Sequence, residues 1–175
     1  MRITYSAAVS RDGFIARLDG DVSWLEEMDI DPNDTGLAEF FASVDGLAMG
    51  RATYDFVFQY GSWPYEDKPT WVCTSKDIEA LEGADVTAVS GVEEVVDAAR
   101  SRGVKELWLV GGGKLASAFL DAGLINTLSL AEMPIELGEG IPLFANHKVE
   151  DLAVAERKEE QKKGFKQIDI QLLSS

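Results

Sequence analysis

Residues Leu107–Leu120 read LWLVGGGKLASAFL. Four apolar residues in a row suit a strand buried on both faces. Gly111, Gly112 and Gly113 follow, and then KLASAFLDAG carries an amphipathic helix pattern closed by Gly123. Without Cβ atoms, the three glycines let an anion approach backbone N–H groups. The helix that follows aims its free N–H groups and positive dipole end at the same place. Three successive glycines exceed what a tight turn needs, so the stretch reads as a phosphate cradle.

The type of cradle follows from position and residue identity. Gly111–Ala116 fits G-x-G-x-x-A, the dinucleotide fingerprint. In a Rossmann domain that fingerprint occupies the first strand-to-helix turn, with most of the sheet after it. Here it lies late in a chain of 175 residues, and the remainder is mostly strand. A P-loop requires Gly at 108 and Ser or Thr at 115, where this chain has Trp108 and Leu115.

Two other strand ends resemble the first. LAMGRATYD runs from an apolar strand through Gly50 into a helix, with Arg51 and Thr53 in its first turn. VCTSKD is a strand end carrying Thr74, Ser75 and Lys76. Ligands of open α/β sheets bind at strand carboxyl ends. The three ends gather Arg51, Lys76 and Lys114 in a chain of net charge −15. That set suits a ligand with several phosphates, such as NADPH.

Elsewhere, RITYSAAVS, TWVCTS, DVTAVS and INTLSLAEMPI read as strands, and GLAEFFASV and VEEVVDAARSRG as helices. In GLAEFFASV the apolar face holds Leu37, Phe40, Phe41 and Val44. EDLAVAERKE and GFKQIDIQLL alternate in the manner of an antiparallel pair. The expected fold is an α/β, three-layer single domain over residues 1–175. Its sheet is mixed and mainly parallel, with helices on both faces and an antiparallel edge.

The acidic surface repels nucleic acid backbones and anionic membranes. No apolar run is long enough to span a bilayer. The lone Cys73 sits in an apolar stretch as an inert thiol, which points to a cytoplasmic setting. With one Cys and one His, His147 in a surface loop, no zinc ligand set is apparent.

The segments SRDGFIA, DVSWL, AMGRATYD, VCTSKD, LWLVGGGKLASAFL and LAEMPIELGEGIPLF occur in the order of a known family. In them the chain resembles the dihydrofolate reductase superfamily, in the branch of the RibD C-terminal reductase domain of riboflavin biosynthesis. The resemblance implies a sheet of about eight strands and an NADPH-dependent oxidoreductase. It assigns Gly50, Arg51 and Thr53 to cofactor phosphates, and Gly111, Gly112, Gly113 and Lys114 to the pyrophosphate. Ser75, with Arg51 or Lys76, would meet the adenosine 2′-phosphate, and Thr74 would belong to the same cofactor site. Asp12, Gly13 and Trp24 would belong to a loop closing over nicotinamide and substrate.

On the substrate side, Leu25 is followed by Glu26 where dihydrofolate reductases have Pro. Asp34 falls where their buried acid lies, although in its loop-like segment it reads more readily as an N-cap for GLAEFFASV. The implied catalytic set is Asp34, Trp24 and Asp12. The implied reaction is reduction of a C=N bond in a small pyrimidine or pterin-like compound, with the proton from Asp34 or from water. A ribose phosphate on that compound would need a cation, for which Arg17 and Lys68 are candidates. The alternatives are an orphan reductase or a non-catalytic NADPH-binding dimer. A homodimer is expected through apolar surface on the C-terminal strand pair and MPIELGEGIPLF.

Overall fold

A computed structural model of the chain describes residues 1–173; residues 174 and 175, included in the expected domain, lie outside them. The strands are β1 (Arg2–Ser10), β2 (Phe14–Ala16), β3 (Gly46–Gly50), β4 (Thr70–Cys73), β5 (Val86–Val89), β6 (Glu106–Gly111), β7 (Thr127–Met133), β8 (Ile141–Pro142), β9 (Val154–Gln161) and β10 (Lys166–Leu172). The helices are α1 (Ser23–Glu26), α2 (Leu37–Ser43), α3 (Arg51–Gln59), α4 (Val92–Ser101) and α5 (Gly113–Asp121). Eight strands form one sheet in the order β5-β4-β3-β6-β1-β7-β10-β9. The first six are mutually parallel, and β10 runs antiparallel to both β7 and β9. The mainly parallel sheet with an antiparallel edge is the one expected. The short pair β2–β8 was not read from the sequence.

Strand alternation divides the two faces. Ile3, Tyr5 and Val9 of β1, Leu107 and Leu109 of β6, and Ile168 and Ile170 of β10 point into the largest core. Val95, Val96 and Ala99 of α4, with Ala116 and Phe119 of α5, close it from above. Both helices end as their glycines foretold, with Gly103 and Gly123 at positive φ. On the opposite face Leu47 and Trp108 pack with Phe40 and Phe41 of α2, and Met49 and Val72 with Tyr54 of α3. No helix among the described residues is long and apolar enough to cross a membrane.

One expectation changes here. Helix α2 ends at Ser43; Val44 is extended and buried, while Leu37 is 52% exposed. Its apolar side therefore borders a hollow. Of the apolar surface expected to support a dimer, part packs within the chain, while Val154 and Leu173 stay exposed. Leu143 and Phe144 are buried, Ile135 and Leu137 pack around Trp24, and every residue of the outer strand β9 is exposed. That strand carries Glu156, Arg157, Lys158, Glu159 and Glu160, charges that discourage pairing at a sheet edge.

Candidate active site

The order β4-β3-β6 places the three strand ends side by side. Cys73 pairs with Gly50, and Met49 with Gly111. A Cβ at Gly50 would lie 3.8 Å from the Gly111 carbonyl oxygen, and one at Gly112 would lie 3.9 Å from Thr53 Oγ1. Gly50 and Gly112 are the N-caps of α3 and α5, and neither helix has a side-chain cap. The free N–H groups of two helix starts therefore open at neighbouring strand ends.

The three glycines have separate reasons. Gly111 has φ +135°, a conformation that L side chains rarely adopt. A Cβ at Gly113 would meet the Pro142 carbonyl at 2.5 Å, and the Gly113 carbonyl accepts from Ala145 N–H at 3.1 Å. Gly113 is thus required by close packing of the chain. Gly112 has no such need, since its nearest neighbour would be in ordinary contact.

Arg51 ties the group together. Its Nε donates to Asp55 at 2.8 Å, and its Nη1 reaches the Asp77 carbonyl at 3.2 Å and Thr74 Oγ1 at 3.4 Å. Thr74 Oγ1 accepts from Lys76 N–H at 3.2 Å. Ser75, Lys76 and Lys114 are exposed. A polyphosphate group fits this set, which offers backbone donors, three hydroxyls and three cations, with an open glycine at its centre.

A cavity of about 530 Å³ lies on the face of α2, over β1, β7 and β10. It is lined by Ser6 and Ala8, Ser129 and Ala131, and Gln167 and Asp169, with Asp34, Leu37, Phe40 and Trp108 at its side. Small and polar residues on this sheet face leave the hollow. Their partners in alternation, Leu128, Leu130, Ile168 and Ile170, fill the core on the other face. Strand register brings the hollow near the glycine turn, through Ser6 and Trp108 of its wall. Tyr5 pairs with Leu109, so Ser6 and Val110 come next on adjacent strands, and Trp108 Nε1 donates to the Ser6 carbonyl at 3.3 Å. Phe40 meets Trp108 edge to face, with ring centroids 5.3 Å apart.

The three residues expected to be catalytic are not brought together. Asp34 lines the cavity but is exposed. It does not cap α2: Gly36 occupies the N-cap, and Thr35 Oγ1 accepts from Leu37 N–H at 3.2 Å. Trp24 is fully buried with Met133 and Phe165, its indole N–H without a partner among the described residues. A side chain so enclosed anchors the core. Asp12 accepts from Ser10 Oγ at 2.6 Å, Leu137 N–H at 3.1 Å and Gly138 N–H at 2.8 Å. Desolvation raises the Asp12 pKa, but these donors outweigh it and hold the carboxyl below its usual range. Asp12 is an ionised clamp on the loop after β7.

Neither cation expected for a ribose phosphate lines the cavity. Lys68 Nζ donates to the carbonyls of Phe41, at 2.6 Å, and Val44, where it caps the end of α2. Arg17 lies in the loop after β2, its N–H bonded to the Asp21 carbonyl at 2.9 Å. A second cavity, about 440 Å³, opens on the opposite sheet face, with Arg11, Asp12, Lys148 and Arg157 at its wall.

The model of the RibD C-terminal domain family matches residues 61–169. The chain belongs to this family. The uncharacterized protein YwjB of Bacillus subtilis (strain 168) is 32% identical over 78% of this chain and 79% of its own length. Dihydrofolate reductase HdrB of Haloferax volcanii is 33% identical over 73% of this chain and 64% of its own. A solved structure of a putative riboflavin biosynthesis protein from Shewanella sp. PV-4 superposes with a TM-score of 0.79 at 28% identity, covering 99% of both chains. The bifunctional deaminase/5-amino-6-(5-phosphoribosylamino)uracil reductase of Thermotoga maritima gives 0.77 at 16% identity, a likeness of fold. This chain covers 56% of that one. The matched family segment contains the Thr74–Lys76 and triple-glycine elements, and the Gly50–Thr53 turn precedes it.

Proposed function

We propose that this RibD-like protein is an NADPH-dependent reductase of a C=N bond in a pyrimidine or pterin-like compound. Its nearest functional model is 5-amino-6-(5-phosphoribosylamino)uracil reductase. The observation that carries this reading is the juxtaposition of two regions: a glycine-built anion site across β4, β3 and β6, and a hollow beside it. Bound NADPH supplies a hydride from its nicotinamide ring to the carbon of the C=N bond, whose nitrogen takes a proton. The chain's own work is binding and alignment. Gly50, Arg51, Thr53 and Gly111–Lys114 hold the pyrophosphate end, and Thr74, Ser75 and Lys76 the adenosine phosphate. Ser6, Phe40 and Trp108 position the acceptor so that reacting carbons approach within about 3–3.5 Å. The exposed Asp34 leaves two routes for the proton: its carboxyl, or water held beside it.

Titration with NADPH, followed by tryptophan fluorescence, tests the cofactor reading; Trp108 lines the hollow. No binding at millimolar cofactor would remove it. Loss of NADPH absorbance with a panel of pterin, folate and ribosylaminopyrimidine compounds tests catalysis. Binding without oxidation of NADPH by any of them would mean a non-catalytic nucleotide-binding protein. Every residue in the reading comes from one chain, and a mass measurement in solution gives the oligomeric state.

A further inference from the structure

The charges around the hollow bear on what enters it. Asp34 faces it from the turn before α2, and Asp169 from β10. Lys162 is the one cation among the described lining residues, and its Nζ is 3.1 Å from Glu160 Oε1. On the neighbouring strand β9, Lys158 pairs in register with Asp169 and its Nζ lies 3.5 Å from Glu156 Oε1, so that Lys158 and Lys162 each have a β9 carboxylate beside them and Asp34 and Asp169 remain in excess. The chain's other grouped cations are elsewhere: Arg51, Lys76 and Lys114 by the strand ends, and Arg11, Lys148 and Arg157 on the opposite sheet face. Gln167 Nε2 donates to Ser129 Oγ at 3.1 Å and to Asp169 Oδ1 at 3.0 Å. This fork fixes the Asp169 carboxylate on the floor. Its Oδ2 has no hydrogen-bond partner among the described residues.

An acceptor-rich, negative floor takes N–H donors and repels a phosphate dianion. Phe40 and Trp108 add aromatic surface against which a flat ring can pack. We propose that the hollow accepts an amino-substituted heterocycle without a phosphate group, and that Asp169, held by Gln167, sets this preference. The proposal rests on reading the hollow as the substrate place of the reductase. It departs from the phosphorylated compound named for the Thermotoga maritima relative.

Two matched probes test it: 5-amino-6-(5-phosphoribosylamino)uracil, and the same compound after phosphatase treatment. Each is titrated against the protein by tryptophan fluorescence, without cofactor. At low salt the dephosphorylated compound should bind roughly tenfold tighter, the gap narrowing as salt screens the repulsion. Asp169→Asn should move the two affinities in opposite directions, weakening the dephosphorylated probe and strengthening the phosphorylated one. A merely structural residue would shift both the same way. Gln167→Leu, which releases the carboxylate, should weaken the dephosphorylated probe without strengthening the other. Equal or tighter binding of the phosphorylated probe overturns the proposal. So does binding of neither, or a common shift in Asp169→Asn. NADPH titrated separately on the same sample tells these outcomes from failure of the reductase reading, because neither probe titration needs the cofactor.

Discussion

The glycine-built site and the hollow beside it are made in different ways. The first is mostly backbone: helix starts at Gly50 and Gly112, a positive-φ Gly111, and an Arg51 fork holding the next turn. Each part lies within a few residues of a strand end. The hollow is made of side chains from β1, β7, β10 and the turn before α2, segments separated by up to the length of the chain. Backbone donors offer anions a fixed cradle whatever the neighbouring side chains are. A cleft floor is only as specific as the side chains that alternation exposes. The difference predicts that the first region tolerates changes in side chains and fails on a Cβ, while the second does the reverse.

The largest effect should come from Gly113→Ala. Its new Cβ would sit 2.5 Å from a backbone carbonyl, and overpacking of this kind costs about 3 kcal/mol. Thermal unfolding measures it, and an unchanged Tm would show that the segment around Pro142 yields. Trp24→Phe probes a separate cluster, the one with Met133 and Phe165. It removes an indole N–H that lacks a partner, so the lost volume is partly offset, and the net cost should stay near 1 kcal/mol by denaturant titration. A loss of several kcal/mol would mean that the N–H is bonded in solution.

Gly112→Val separates ligand from fold. Its Cβ has room within the chain, so Tm should hold, while NADPH affinity falls roughly a hundredfold as the cradle fills. Equal loss of both would make Gly112 structural like its neighbour. Ser129→Leu is the counterpart in the hollow. It should abolish turnover of any accepted compound and leave the NADPH dissociation constant within about twofold, the two sites being separate in side chains.

The smallest effects concern titration. Burial, with the Glu94 carboxylate as a lesser cause, pushes the Cys73 thiol up to about 11. Alkylation by iodoacetamide should therefore be slow at neutral pH and quicken only as pH approaches that value. Fast labelling at pH 7 would mean that the end of β4 opens. The depressed Asp12 carboxyl works in the opposite sense. Its folded pKa is below the unfolded one, so its contribution is present above the unfolded pKa and is lost as pH falls through the folded value. Protection of the Leu137 and Gly138 N–H groups from hydrogen exchange, taken against the intrinsic rate at each pH, should fall in that acid range, and at neutral pH in Asp12→Ala.

Much of the fold was legible because local signals agreed. The apolar runs of β3 and β6 marked the sheet centre, and Gly103 and Gly123 marked helix ends. The alternation in TLSLAEM and KQIDIQL also contained the hollow's floor, since Ser129, Gln167 and Asp169 are its polar members. That signal identifies a face but not what lies over it. The apolar side of α2 misled for the same reason: periodicity located a face, and only packing decided that it borders a cavity. Trp24 and Asp12 were assigned by resemblance to a loop closing over nicotinamide and substrate; that Trp24 is buried and that Asp12 accepts three hydrogen bonds depends on segments far away in the chain.

What the sequence by itself determined was two glycine turns from strand to helix, at Gly50 and at Gly111–Gly113, and the polar strand end Thr74–Lys76, because glycine spacing and helix starts are local properties of the backbone. Only the tertiary structure decided that these three strand ends sit side by side, and that Gly113 serves packing while Gly112 remains open. It also decided that two carboxylates, and no unpaired cation among the described lining residues, face the hollow. Those facts depend on strand order and on distances between segments far apart in the chain, and neither is encoded in any short stretch.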